Sequence, residues 1–193
     1  MVAVPDAINK RDTVYVAVKR TINGSTKRYI EYLDPDLNVD SGLTYSGAAT
    51  ATISGLDHLI GETVAIVGND AVFPSQVVAA GGTVTLSSSV TTAQVGLAIS
   101  PNPKLVPMKP GPPGVPKRWS EVFVRVHEAQ GLKINDTTIP FAYAGMTTAV
   151  TPFTGDKHIS NLGWDKDGFV TIELTQPLPA TVLAIYGRLL IGD

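Results

Sequence analysis

Residues 18–29 read VKRTINGSTKRY, and the Asn-Gly pair at their centre decides how the chain folds. A two-residue type I′ turn needs positive φ at both central positions, which Asn followed by Gly supplies at least cost. Alternating runs flank it, TVYVAVKR over 13–20 and TKRYIEYL over 26–33. A fold at Asn23-Gly24 sets Ile22 opposite Ser25, Arg20 opposite Lys27 and Lys19 opposite Arg28, with Tyr15 facing Tyr32. Four cations therefore meet in two like-charged pairs, each unfavourable by about 0.2–1 kcal/mol when poorly screened. Toward the open end both faces are apolar: Val14, Val16, Val18 and Leu33 share one, Tyr15, Ala17, Ile30 and Tyr32 the other. This predicts a hairpin buried at its root and wet or partnered at its tip. Lys19, Arg20, Lys27 and Arg28 are the interaction candidates, suited to an acidic neighbouring surface or a phosphate backbone. A merely solvated tip explains the same residues, and exchange of all four for Ser is expected to leave the fold intact.

Outward from the hairpin the same pattern repeats. Runs rich in Val, Ile, Thr and Tyr are broken by Gly, Pro, Asn and Asp, and helical periodicity is nearly missing, which predicts an all-β chain of short strands. ATATIS (49–54), ETVAIVG (62–68), FPSQVVA (73–79), TVTL (83–86) and AQVGLAI (93–99) form one block, with turns expected at Asn69-Asp70 and Gly81-Gly82. SEVFVRVHEA (120–129) puts Val122, Val124 and Val126 on one face and Phe123, Arg125 and His127 on the other. GLKIND (131–136), HISNLGW (158–164), GFVTIEL (168–174) and ATVLAIYGRLLI (180–191) follow, with DKDG (165–168) read as a hairpin loop. Residues 101–116, PNPKLVPMKPGPPGVP, hold half of the chain's 14 prolines and read as an extended connector, an SH3-type ligand being the functional alternative. GTVTL (82–86) and LAI (97–99) recur as GFVTI (168–172) and LAI (183–185) at one common spacing, as two halves on a shared plan would produce.

Composition narrows the function classes. The 193-residue chain is 44% hydrophobic and 17% charged, enough for a buried core and too apolar for disorder. Its net charge of −2 and pI near 5.9 argue against a global nucleic-acid footprint. Cysteine is absent, so disulfides, thiolate zinc sites and cysteine nucleophiles are excluded and a reducing cytoplasm is the simplest folding compartment. The opening MVAVPDAINKRD lacks the order of a signal peptide, and no apolar run is long enough to span a bilayer. His58, His127 and His158 lack the close pairing of a zinc site, and DKDG lacks the further ligands of a calcium loop. Asp57, His58 and Glu62 in GLDHLIGE stand near enough in sequence for acid–base chemistry, or simply form a turn into the next strand. Tyr15, Tyr29 and Tyr32 beside the cations form either a nucleic-acid platform or a packing pair. Trp119 and Trp164 are the residues on which a carbohydrate-binding platform would depend. No catalytic, cofactor or metal site is expected.

Several phrases resemble, in order, the C-terminal part of the tail nozzle proteins of short-tailed bacteriophages, the tail tubular protein B family. They are DTVYVAVKRTINGSTKRYIEYLD, VDSGLTYSG, ISGLDHLIGETVAIVGNDAVFP, TTAQVGLAI and FTGDKHISNLGWDKDGFVTIELTQPLPATVLAIYG. The resemblance implies a fragment of a longer structural virion protein, located in the tail and made in the host bacterial cytoplasm. Implied partners are its own copies in a ring, the portal or adaptor, other tail proteins and DNA in the lumen; no membrane and no small-molecule substrate are implied. It also implies an architecture: a discontinuous β-sandwich from residues 10–45 plus 117–193, an inserted small β-barrel over 46–100, and a Pro-rich linker over 101–116. The alternative, from another class, is a carbohydrate- or host-surface-binding β module of a phage tail.

Overall fold

The computed structural model describes residues 1–6, 11–99, 114–135, 137–141, 150–160, 162–166, 168–174 and 176–192. Most of the Pro-rich segment lies outside the described residues, as do Asn161 and Asp167. The chain divides into two compact units, Met1–Ile99 and Ser100–Asp193. Both are built of antiparallel strands, as the alternation predicts, and among the described residues the one helical element is a single 3₁₀ turn, Asp57–Leu59.

The first unit holds two sheets. Strands β1 (Val2–Asp6), β2 (Arg11–Ile22) and β3 (Ser25–Tyr32) lie in that order. Strands β4 (Asp40–Ser54), β5 (Thr63–Gly68), β6 (Ala71–Val77) and β7 (Thr83–Leu97) form the second, in the order β4-β7-β5-β6. The opening turn has the expected geometry, with φ of 45° at Asn23 and 72° at Gly24. The ladder pairs Ile22 with Ser25, Arg20 with Lys27, Lys19 with Arg28 and Tyr15 with Tyr32. Gly24 meets nothing within 4 Å, so only its backbone conformation constrains the position. Gly24→Val should therefore cost about 1–3 kcal/mol by forcing a β-branched residue to positive φ. An unchanged melting midpoint would contradict the turn.

The second turn, at Asn69-Asp70, also has positive φ at both positions and joins β5 to β6. Asn69 Oδ1 caps it by accepting from the main-chain N–H groups of Thr91 and Thr92. Strands β4 and β7 are far longer than the sequence suggests. Along β7, Val84, Leu86 and Val90 point inward in one phase across three intervening serines, and Ala93 and Val95 resume in the other. The pairing slips between Ser46 and Thr50 of β4 over the same stretch. A phase break of this kind bends a strand around its core and makes one strand look like two.

The burial of the hairpin departs from the expectation at both ends. Beside the exposed residues 23–28 of the tip, Ile22 enters the core formed with Ile53, Leu56, Leu59 and Val64, while toward the root Val14, Val16 and Val18 are half-buried and Ile30 is 81% exposed. The cause lies in partners distant in sequence. The main-chain N–H of Asn23 donates to Glu62 Oε1 (2.6 Å), and the Tyr29 hydroxyl donates to the His58 carbonyl (3.1 Å). The Asn23 side chain rests on Gly61, where a Cβ would stand 2.9 Å from its Cγ. Leu33, at the root, is likewise exposed.

The second unit is centred on β8 (Lys117–Ala129). Strands β9 (Leu132–Ile134), β10 (Thr137–Ile139), β11 (Phe153–Ser160), β12 (Ile172–Glu173) and β13 (Thr181–Ile191) complete it. The sheets are β11-β8-β13 and β10-β9-β12. Val122, Val124 and Val126 are fully buried against Ile134 and Ile172, so the alternation of β8 was readable from sequence. Gly168, at φ 65°, donates its N–H to Asp165 Oδ2, so Asp165 and Gly168 approach each other as in a turn, but they do not close a hairpin. Strand β11 before them pairs with β8, and β12 after them pairs with β9. They are instead pinned to the start of β8. Lys117 exchanges main-chain hydrogen bonds with Asp165, and buried Lys117 Nζ donates to the Lys166 carbonyl. The indole N–H of Trp119 donates to the Gly168 carbonyl (2.8 Å). The internal echo extends to left-handed glycines, Gly82 and Gly168 both at φ 65°, but not to the strands that follow them. Among the described residues none of the four sheets closes into a barrel.

Candidate interaction surface

The ladder assigns the four cations to two faces, because residues directly opposite share a face. Arg20 lies on the inner face and is committed within the chain. Its Nε and Nη2 donate to the Glu31 carboxylate (2.9 and 2.7 Å), and Nη1 and Nη2 donate to Asp40 (2.7 and 2.8 Å). The hydrogen bonds to Glu31, then those to Asp40, raise the Arg20 pKa above its already high ordinary value. Ser41 Oγ donates to the same Glu31 carboxylate, so Arg20 ties the hairpin to the start of β4. The Arg20–Lys27 repulsion is thus relieved by two anions. Arg20 serves as an internal clamp, and Lys27 beside it is exposed.

Lys19 and Arg28 remain on the outer face, both exposed, and among the described residues neither has a hydrogen-bond or ion-pair partner. That face reads as rows across the sheet from root to tip. Val4 lies beside Thr13; Val2, Tyr15 and Tyr32 form the next row; then come Ala17 with Ile30, Lys19 with Arg28, and Thr21 with Thr26. Tyr15 and Tyr32 meet with ring centroids 6.1 Å apart. Val2 and Tyr32 are more than half exposed, and Val4 and Ala17 are exposed as well. A three-stranded sheet thus offers an apolar field with one cationic row, a grouping that sequence parity contained but that needed β1 to become visible.

The other candidates disperse. Asp57, His58 and Glu62 do not converge: His58 Nε2 meets the Ser41 carbonyl (2.9 Å), Glu62 holds Asn23, and the Asp57 carboxylate lies against Gly82. Trp119 is buried at 6% exposure, whereas Trp164 is 54% exposed with the Arg118 guanidinium 5.3 Å from its ring centroid. Among the described residues no group of three or more His, Asp or Glu is placed to hold a metal ion. No helix there is long and apolar enough to cross a membrane.

The outer face of β11-β8-β13 carries a cluster that sequence reasoning did not assemble. His158, Phe123 and Tyr186 stack across the three strands, with centroids 4.6 and 5.4 Å apart. Arg125 donates to both oxygens of Asp156 (2.8 and 2.9 Å), which also accepts the Tyr186 hydroxyl (2.6 Å). The bonds from Arg125 and then Tyr186 pull the Asp156 carboxyl down to about 2 from its ordinary 3.8. A carboxyl depressed in the folded state stabilises above its unfolded value and loses that contribution as pH falls through its folded value. Asp156→Asn should therefore flatten the stability–pH profile between 3.8 and about 2, with little change in slope above that window. An acid limb identical to that of the parent chain would contradict the network.

Compared with models of known protein families, the chain matches none, and no curated protein matches it either.

Proposed function

We propose that this chain is a structural part of a short-tailed phage tail, a portion of a nozzle subunit that assembles with other tail proteins around the DNA exit channel. The observation that carries the reading is the ordered run of phrases from DTVYVAVKRTINGSTKRYIEYLD to FTGDKHISNLGWDKDGFVTIELTQPLPATVLAIYG, which covers most of the chain. Two compact β units with apolar side chains left on a sheet face are in keeping with a protein that works by contact with neighbours. In this reading the protein is made in the host cytoplasm and resides in the tail, with its own copies, the portal or adaptor and tail proteins as partners. The finer architecture, a sandwich with an inserted small barrel, belongs to the same proposal. It is supported by the bend of β4 and β7 around one core, and by Gln76 of β6, whose amide donates to the Thr85 carbonyl and accepts from the Thr85 N–H. That bridge brings the far edge of the β4-β7-β5-β6 sheet back toward the start of β7.

Mass spectrometry of purified particles from the phage or prophage that encodes the chain, followed by electron microscopy of the tail, tests the proposal. The chain should be a stoichiometric tail component, and its absence from intact virions would overturn the reading. The exposed Trp164 favours a second reading as a surface-binding β module. A glycan bound by the whole chain and lost in Trp164→Ala would select that reading instead.

A further inference from the structure

We propose that the outer face of the β1-β2-β3 sheet is a contact between two copies of this chain, packed face to face about a two-fold axis with their strands antiparallel. The order of the rows carries the inference. A two-fold axis through the Ala17–Ile30 row reverses root and tip, so Ile30 meets the same row of the second copy. It then lays Lys19 and Arg28 over the Tyr15–Tyr32 row of the other copy. Stacked sheets lie about 10 Å apart, room for an aliphatic stem carrying its charge onto a tyrosine face. Arginine and lysine are attracted to such faces, most strongly when water is excluded.

The two cationic rows do not meet each other in this arrangement. Four residues of strand separate them, about 13 Å, which exceeds the screening length of roughly 8 Å at physiological salt. The like-charged Lys19–Arg28 pair finds no anion among the described residues of its own chain, whereas Arg20–Lys27 finds two. The face therefore supplies, read backwards, the apolar and aromatic field that its unrelieved cations need, and a second copy is the occupant it fits. Only the Tyr15–Tyr32 row spans all three strands, so the two copies overlap along β2 and β3, and strands about 4.8 Å apart with rows about 6.7 Å apart give a patch of roughly 260 Å². That is about a third of what a standard interface buries on each partner, so the association is weak. Such a contact closes at two copies, so it is a different surface from the head-to-tail contacts that a ring in the tail would need, and virion mass spectrometry tests that reading separately.

Sedimentation velocity of the full chain over a concentration series tests it. A reversible monomer–dimer equilibrium is expected. Ile30→Glu, which sets two carboxylates against each other at the axis, should weaken it by roughly tenfold or more. Arg28→Glu and Tyr32→Lys should each weaken the dimer, and the two changes in one chain should restore it, because Glu then faces Lys across the interface. These side chains point outward, so circular dichroism of each variant should match the parent. A chain that stays monomeric throughout, a dimer indifferent to Ile30→Glu, or failure of the paired change to restore association would each overturn the proposal.

Discussion

Arg20→Ala should lower the thermal midpoint of the first unit by roughly 10 °C, while Lys19→Ser, Lys27→Ser and Arg28→Ser together should leave it in place. Sequence alone made the four cations equivalent; the structure separates one from the other three. Arg20 spends its guanidinium on two carboxylates, and its side chain is only 17% exposed. Removing it leaves Glu31 and Asp40 close together and partly desolvated, with no counter-charge. The loss of such a half-buried clamp is worth about 2 kcal/mol, less than for a fully buried pair because Asp40 remains partly in water. A domain of this size converts each kcal/mol into several degrees of melting. Arg20→Met combined with Glu31→Leu should recover part of the loss by replacing charge with packing. Scanning calorimetry reads all three variants, and a parent-like Arg20→Ala would remove the clamp from the account.

The second large effect belongs to the other unit. Gly187 of β13 sits opposite Val122 of the central strand β8, and a Cβ added there would stand 2.1 Å from the Glu121 carbonyl oxygen. That neighbour is backbone, held between two paired strands, and cannot swing aside as a side chain would. Gly187→Ala should therefore cost about 3 kcal/mol or more by prising β13 from β8. Gly163, where an added methyl meets nothing within 4 Å, is the control, and Gly163→Ala should be close to silent. Equal melting of the two variants would show that the β8–β13 approach is looser than described.

What could be read from sequence was local. Asn23-Gly24 declares its own turn, the turn fixes the register, and the register placed Tyr15 on Tyr32 and grouped the cations by face. Val122, Val124 and Val126 declare their face in the same way. Hidden features depended on partners far along the chain. Glu62 and His58 pull the hairpin tip inward from more than two dozen residues away, which no pattern within the hairpin encodes. Glu31 stands on the face of Arg20, so parity could have suggested that half of the clamp; Asp40 could not have been found that way. The full length of β4 is hidden in the sequence because its alternation breaks where the strand bends. The Asp156–Tyr186 pair joins segments thirty residues apart on strands that meet only through β8.

The distribution of indole rings has a practical consequence. Both tryptophans, Trp119 and Trp164, belong to the second unit, while the first carries Tyr15, Tyr29, Tyr32 and Tyr45 and no tryptophan. Emission under selective indole excitation therefore reports the second unit alone. Trp119, sealed in the core beside the Gly168 carbonyl, supplies a blue component that shifts red when that unit opens. Denaturation of the second unit can thus be watched by itself, without a label, whereas tyrosine emission is shared, because Tyr143 and Tyr186 lie in the second unit as well.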